Sequence, residues 1–287
     1  MLLTLSAKSF AVPAKKGAEP RVALHEIPRI AQTELGLMGL SIPSSMLAGW
    51  EPPALDRLRD QADKAACPVL LLIEDRPHAF GGADPQAFAA TQERLDRVLR
   101  VAHRLGCASV AISLEHKPEP EISETLAQRL KALVSRAERI EINLLLAPAK
   151  GLTEAPDRLT GLIRRVGGFR IGSFPDYAAA AASDDAVAYL RSLAPYASVV
   201  SASFQEFDAK GKHKGWDLAA CSQAIREVGF DANLTLDFRG KGDPVPALAQ
   251  AKATIEAALG LEQDDEEPPD LDDILGPIAE DPEPADE

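Results

Sequence analysis

Residues 228–244 read VGFDANLTLDFRGKGDP, and this stretch shows the building unit of the fold. A turn at Gly229 leads into an apolar run, Asn233–Phe238, which has the length of a buried strand. After a glycine-containing turn, Asp243-Pro244 has the sequence of a helix start, with an N-cap aspartate and a proline at the first helical position. Strand, turn and capped helix in this order predict one βα unit of a parallel sheet.

The same unit repeats along the chain, because earlier apolar runs alternate with longer segments of helical periodicity. Eight strands separated by helices, spread over about 250 residues, predict an α/β fold of the (β/α)8 TIM-barrel type. An open doubly wound sheet is the alternative, although the chain carries no GxGxxG or P-loop signature of its nucleotide-binding versions. The predicted strands are Leu2–Ser6, Gly39–Ile42, Val69–Ile73, Ser109–Leu114, Ile142–Leu146, Phe169–Gly172, Ser198–Ser203 and Asn233–Phe238.

Negative charge is concentrated at the C-terminal end of the chain. Of the 44 acidic residues, 13 lie within 261–287, so residues 1–260 carry 44 − 13 = 31 acids against 31 bases. A body without net charge lacks the basic surface that neutralises phosphates, and nucleic-acid binding is not expected. Residues 1–260 are predicted to form the barrel, and the acidic, proline-rich residues 261–287 a disordered tail. Leucines and isoleucines between 271 and 278 recur with helical spacing, which would suit a protein partner.

The cysteines and the lengths of the apolar runs indicate the cellular compartment in which the protein is expected. Cys67, Cys107 and Cys221 are odd in number and far apart, which argues against a disulfide framework and favours a reducing, cytoplasmic environment. No run approaches 18 apolar residues, so no membrane span is expected. The opening apolar run lacks a basic leader and is predicted to be a strand.

Four segments carry a family resemblance. They are HEIPRIAQTELGLMGLSI (25–42), RVLRVAHRLGCASVAIS (97–113), LAPYASVVSASFQEFDAKGK (193–212) and VGFDANLTLDFRGKGDP (228–244). In this order they resemble the first helix and second strand, the approach to strand 4, strand 7 and strand 8 of the sugar phosphate isomerase/epimerase group of xylose isomerase-like TIM barrels. The likeness covers nearly all of residues 1–260. It implies a carbohydrate-like substrate, a divalent metal such as Mn²⁺, Mg²⁺ or Zn²⁺, and frequent pairing into homodimers.

The resemblance also implies where the metal site lies, at the ends of strands 5 to 8, with Glu, Asp, His and Glu as ligands. The matching residues here are Ala147, Asp176, Ser201 and Asp237. Asp176 keeps the family ligand and Asp237 is a shorter carboxylate, but Ala147 and Ser201 lack the family donors. Divalent ions need several donors in fixed geometry, so a degenerate metal site is predicted. Isomerisation also needs a base within about 2.6–3.2 Å of the proton removed, and Ala147 cannot supply it.

A rearranged site is the alternative to a degenerate one. Glu115 follows strand 4 and can point inward by alternation, so it could join Asp176 and Asp237 as a catalytic or metal-binding carboxylate. Lys150 and Arg239 are candidates to face a phosphate or carboxylate of a substrate, and Trp216 is a candidate platform for stacking on a sugar.

Two histidine-containing segments are predicted to be solvated loops without a role in the site. One is the cluster Glu74, Asp75, Arg76 and His78 after strand 3, and the other is KGKHKG around His213. None of the five histidines lies at a matching strand end, which argues against the multi-zinc endonuclease chemistry of the wider superfamily.

Two functions follow from these residues. In the first interpretation the barrel has lost metal-dependent catalysis, needs no cofactor, and acts as a binding or scaffold protein whose acidic tail recruits a protein partner. In the second it is an active isomerase, epimerase or lyase on a carbohydrate-like small molecule and uses the rearranged divalent-metal site. Whether the chain is an enzyme is therefore left open by the sequence.

Overall fold

A computed structural model describes residues 1–11, 22–80, 84–114, 124–151, 153–208 and 211–261. Strands and helices alternate along these residues, as the sequence predicts. The strands are β1 Leu2–Ser6, β2 Leu40–Pro43, β3 Val69–His78, β4 Ser109–Leu114, β5 Asn143–Ala147, β6 Ile171–Ser173, β7 Val199–Phe204 and β8 Asn233–Phe238. The helices are α1 Ile27–Leu35, α2 Pro52–Lys64, α3 Pro85–Leu105, α4 Glu124–Glu138, α5 Pro156–Val166, α6 Tyr177–Ala181, α7 Ala186–Leu193, α8 Leu218–Glu227 and α9 Pro244–Leu259.

The eight strands form one parallel sheet in the order β6-β5-β4-β3-β2-β1-β8-β7. Two isolated parallel bridges, Ser173 to Ala197 and Asp176 to Ser201, connect the β6 edge with the β7 edge. The strands therefore follow one another around a closed sheet in chain order. A doubly wound sheet would reverse direction in the middle, so the TIM-barrel prediction is confirmed.

The seam between β6 and β7 depends on a glycine. A Cβ atom at Gly172 would collide with the backbone carbonyl oxygen of Tyr196, which leads into β7. Only a residue without a side chain lets the two backbones approach this closely. The Ser173 hydroxyl closes the same seam by donating a hydrogen bond to the carbonyl oxygen of Leu193 at 2.8 Å.

Aspartate caps, including the one predicted at Asp243, fix the starts of three helices, and glycines end two of them. The side chains of Asp84, Asp217 and Asp243 each accept a hydrogen bond from a backbone N–H in the first turn of α3, α8 and α9. Gly106 and Gly260 end α3 and α9 in the left-handed conformation. These caps confirm the helix signals in the sequence and fix where each βα loop leaves the carboxyl end of its strand.

The barrel has an extensive apolar layer between strands and helices and a smaller apolar cluster inside. The inner cluster contains Leu71, Ala111, Leu145, Phe174 and Val199. The other side of the interior is polar, because the hydroxyls of Ser41 on β2 and Thr235 on β8 are 2.9 Å apart and bridge across β1. By strand register, Ser201, Ser203 and Asp237 belong to this polar side.

Cysteine burial and helix length complete the description. Cys67, Cys107 and Cys221 are all free and buried. Within the described part of the chain, no helix is long and apolar enough to cross a membrane. The predicted tail, 261–287, lies outside the described residues except for Leu261, so the domain boundary at residue 260 stays a prediction.

The polar interior can be tested with Thr235→Val. The substitution keeps the shape but leaves the Ser41 hydroxyl, which is 1% exposed, without its partner. We expect a loss of about 1–3 kcal/mol in the free energy of unfolding, measured with urea. In Ser41→Ala/Thr235→Val the loss should be smaller than the sum of the two single losses. An exposed control, Thr33→Val, should change stability by less than about 0.5 kcal/mol. If the losses of the two single variants add up in the double variant, the hydroxyls of Ser41 and Thr235 do not interact.

Candidate functional site

The ends of β6, β7 and β8 bring the two surviving carboxylates together around an arginine. Arg239, two residues beyond Asp237, donates from Nη1 and Nη2 to Asp176 Oδ1 and Oδ2 at 3.1 and 2.5 Å. Its Nε donates to Asp237 Oδ2 at 2.7 Å. All three guanidinium nitrogens thus bind carboxylates, with a two-pronged contact to one of them. We call Asp176, Asp237 and Arg239 the carboxylate–arginine cluster.

The charged groups of the cluster are ion-paired and largely shielded from solvent, and one carboxylate oxygen has no hydrogen-bond partner. The side chains of Asp176 and Asp237 are 15% and 7% exposed, and that of Arg239 is 34% exposed. Burial lowers the pKa of Arg239, but the charges and hydrogen bonds of the two carboxylates outweigh burial and raise it, so the guanidinium stays charged. Two carboxylates and one guanidinium leave a formal charge of −1. Asp237 Oδ1 is buried and has no hydrogen-bond partner.

Ser201, at the position where the resemblance implies histidine, and Ser203 two residues on, together with Asp176, organise the backbone around α6. The backbone N–H of Ser201 donates to the carbonyl oxygen of Pro175 at 2.8 Å. Ser203 Oγ accepts from the N–H of Ala178 at 2.9 Å. Asp176 Oδ1 accepts from the N–H of Ala179 at 3.0 Å. The first turn of α6 is therefore capped by two side chains, and this fixes the carboxylate next to Arg239.

Of the other predicted site residues, Ala147 and Lys150 lie outside this cluster and Arg239 lies within it. Ala147, at the end of β5, packs against the apolar cluster inside the barrel. Lys150 lines a cavity of about 330 Å³ with Glu154 and Tyr189, beside the end of β5. Arg239 is engaged by both carboxylates, whereas the sequence suggested that it faces a substrate. Glu115 lies outside the described residues.

Trp216 packs into an aromatic cluster with His213 instead of standing free as a stacking platform. The two ring centroids are 4.6 Å apart, and the indole Nε1 is buried without a partner. His213 is 7% exposed, so the prediction that it lies exposed in a loop is wrong for this side chain, although Lys212 and Lys214 beside it are exposed. The His213 Nε2 accepts from the N–H of Gln205 at 2.8 Å, and its Nδ1 lies 2.9 Å from the carbonyl oxygen and 3.1 Å from the backbone nitrogen of Trp216. Nothing in the lysine-rich sequence around His213 signals this burial.

The prediction of a solvated loop after strand 3 is wrong for Glu74 and His78, which are buried, whereas Asp75 and Arg76 are exposed as predicted. β3 continues to His78, which pairs with Leu114 of β4. Glu74 is 1% exposed and lies on the same side of β3 as Leu72, facing the helices. Its Oε2 accepts from Ser44 Oγ at 2.8 Å and from Arg94 Nη2 at 2.7 Å. These contacts attach α3 and the segment that follows β2 to β3. Arg94 next to the apolar stripe of α3 was the sequence signal for a buried partner.

The donors present do not fit the four-ligand metal site that the family resemblance implies. Ala147 has no donor atom, the Ser201 position offers no imidazole, and the two carboxylates already bind Arg239. Among the described residues, no group of three or more His, Cys, Asp or Glu side chains is placed to hold a metal ion. The degenerate metal site itself stays a prediction, because Glu115 is not described.

Comparison with known proteins supports the fold. No family model and no curated protein matches the chain. Among solved structures, an L-ribulose 3-epimerase has a TM-score of 0.71 at 16% identity, over 91% of this chain and 95% of that one. The IOLI protein with a bound zinc atom has a TM-score of 0.68 at 14% identity, over 92% and 100%. The 3-keto-D-glucoside 4-epimerase YcjR from E. coli has a TM-score of 0.67 at 12% identity, over 90% and 99%. The chain therefore has the xylose isomerase-like TIM-barrel fold.

The Glu74 network makes the protein sensitive to acid. Burial raises the pKa of Glu74, but the contact with His78 at 3.4 Å and the hydrogen bonds from Arg94 and Ser44 outweigh burial and lower it from 4.5 to about 2. Because the folded pKa is depressed, the stabilisation is present above about pH 4.5 and is lost as the pH falls towards 2. It amounts to roughly 3 kcal/mol.

The measurement is the free energy of unfolding of wild type and Glu74→Gln at pH 7 and at steps between pH 5 and 2. Wild type should lose roughly 3 kcal/mol more than Glu74→Gln over this range. The control Glu93→Gln removes an exposed carboxylate paired with Arg97 and should follow wild type. Identical pH profiles for wild type and Glu74→Gln would show that Glu74 is not held as a buried carboxylate.

Proposed function

We propose that this chain is a binding protein built on a xylose isomerase-like barrel and that metal-dependent isomerisation is not its activity. The observation that carries the proposal is the position of Arg239. Its guanidinium takes up the charge of both carboxylates that the family resemblance assigns to the metal. The guanidinium of the protein itself thus binds the two carboxylates to which, by the resemblance, an exchangeable metal ion would bind.

A divalent metal ion and a guanidinium group support different chemistry, and this difference decides which activity is possible. A catalytic divalent ion keeps coordination positions for substrate oxygens and polarises them. A guanidinium donates hydrogen bonds in a fixed plane and cannot act as a Lewis acid. Here its donors already face Asp176 and Asp237, so it holds both carboxylates in place. Among the residues that the structure describes, neither a Lewis acid nor a free base is then left for enolisation, whereas a ligand can still bind.

The mouth of the barrel favours a small ligand rich in hydroxyl groups. Asp237 Oδ1 is a buried acceptor without a donor, and a ligand hydroxyl would satisfy it. Sugar epimerases among the structural neighbours point to the same class of ligand. A carbohydrate-like molecule is therefore the proposed ligand, and a cytoplasmic location, a homodimer and a protein partner for the acidic tail belong to the same proposal.

The second candidate is an active isomerase, epimerase or lyase with a rearranged divalent-metal site. The unused Asp237 Oδ1 favours it, because a cation would also satisfy a buried carboxylate oxygen. Arg239 is one-third exposed and would have to leave Asp176 before a metal could enter. The two candidates therefore differ in whether the wild-type protein binds a divalent ion.

Calorimetric titration of Mn²⁺ into chelator-treated protein separates the two candidates. We expect no binding by wild type at millimolar Mn²⁺, because Arg239 neutralises the carboxylates. Arg239→Ala should gain weak binding, and Asp176→Ala/Arg239→Ala should lose it again. The matched control Arg226→Ala removes an exposed arginine of α8 and should behave as wild type. Micromolar binding by wild type that Asp176→Ala abolishes would overturn the proposal and support the enzyme.

The cluster should also stabilise the fold. In Arg239→Ala two largely buried carboxylates face each other without a counter-charge, and we expect a loss of about 2–3 kcal/mol after allowing for the partial exposure of the arginine. Asp176→Asn/Asp237→Asn/Arg239→Ala removes the repulsion and should recover most of the loss. Urea unfolding at pH 7 measures both. A single variant as stable as wild type would show that the ion pairs are not formed in solution.

A further inference from the structure

A groove with an apolar floor and a basic rim lies on the outside of the barrel, between α2 and α3 and beside the end of α4. Its volume is about 520 Å³, within the range of ligand-binding clefts. Leu55 of α2, Val101 of α3 and Ile140 form its apolar part. The basic side chains along it are Arg97, Arg100, His103 and Arg104.

The basic rim keeps unused hydrogen-bonding capacity. Arg104 binds both oxygens of Asp56 at 2.6 Å, and Arg97 binds Glu93 at 2.7 Å, yet the two arginines are 45% and 52% exposed. Arg100 is exposed and makes no ion pair with any residue that the structure describes. Three arginines face two acids, so the rim has a positive formal charge. Each guanidinium has five donors, and the bonds to Asp56 and Glu93 use the Nε and Nη2 of Arg104 and the Nη1 of Arg97.

The chain itself contains a segment of complementary chemistry. Residues 262–287 contain 13 acidic residues and no lysine or arginine. Within them, the sequence DLDDIL (270–275) places three large apolar residues among three aspartates. Such a segment can insert apolar side chains into a groove while its carboxylates meet a basic rim.

The distance along the chain matches the position of the groove. α9 ends at Leu259, and like α3 it runs back from the carboxyl to the amino ends of the strands. α9 contacts α1, α1 contacts α2, and α2 contacts α3. Three interhelical steps of about 8–10 Å give roughly 24–30 Å from α9 to α3. Leu271 lies ten residues beyond Leu261, and ten extended residues span at most about 33–36 Å.

We infer that the groove between α2 and α3 is an interaction surface, and that residues 270–275 of the same chain occupy it. Leucine and isoleucine side chains of this segment contact Leu55, Val101 and Ile140, and its aspartates face Arg100 and His103. Because the charges lie at a solvent-exposed rim, the contact weakens as salt is added. This surface lies away from the barrel mouth, so the inference does not depend on the proposed function.

Hydrogen–deuterium exchange of the full chain at low ionic strength tests the inference. The amides of residues 270–275 should exchange at least several-fold more slowly than those of an unstructured chain, and high salt should remove this protection. Arg100→Glu/His103→Glu reverses the rim charge and should abolish the protection. Adding Asp272→Lys/Asp273→Lys to that variant should restore it. The matched control Arg164→Glu reverses an exposed charge on α5 and should change nothing.

Three outcomes would overturn the inference. The first is unprotected exchange of residues 270–275 in wild type at low salt. The second is protection that survives both the groove variant and Leu271→Ser/Leu275→Ser. The third is protection that grows with protein concentration, since a second copy would then supply the segment. Thermal melts of each variant establish that the barrel remains folded. Arg100, His103 and Arg164 are exposed, so their substitution leaves the core intact.

Discussion

Closure of the barrel between β6 and β7 is the constraint on which the rest of the structure depends. β6 is only three residues long, and two isolated bridges join it to the β7 side. Gly172 permits the close approach of the backbones, and the Ser173 hydroxyl bonds across the gap. Closure puts the ends of β6 and β8 on either side of β7, which is why Arg239 can reach both Asp176 and Asp237. The same geometry creates the polar mouth on which the proposed binding function relies.

The fold could be read from the sequence because its signals are local. Apolar runs of strand length, aspartate caps followed by proline, and glycines after helices each report on a few neighbouring residues, and they agree from β1 to α9. Asp176 and Asp237 could be placed at strand ends for the same reason. The ion pairs could not, because they depend on how far a flexible arginine reaches across β7. Residue identity alone does not distinguish an arginine that faces a ligand from one that binds its own chain.

The two wrong loop predictions have a common physical cause. Glu74 and His213 are polar residues in charged surroundings, and such sequences usually indicate solvent exposure. Both are buried because the folded chain supplies partners for them: Arg94 and Ser44 for Glu74, and backbone groups of Gln205 and Trp216 for His213. Burial of a charged group is favourable only when its partners are in place, so it is a property of the tertiary structure and leaves little trace in local patterns.

The carboxylate–arginine cluster also constrains how the sequence can change over evolutionary time. Loss of Arg239 alone leaves two buried carboxylates in repulsion, and loss of both carboxylates leaves a guanidinium without counter-ions. The three positions are therefore epistatic: the residue tolerated at each depends on the other two. A metal site of the kind that the resemblance implies would require a donor on β5, another on β7 and removal of the arginine. Removing the arginine first would leave the two carboxylates without a counter-charge, so electrostatics as well as the missing donors opposes such a site in this barrel.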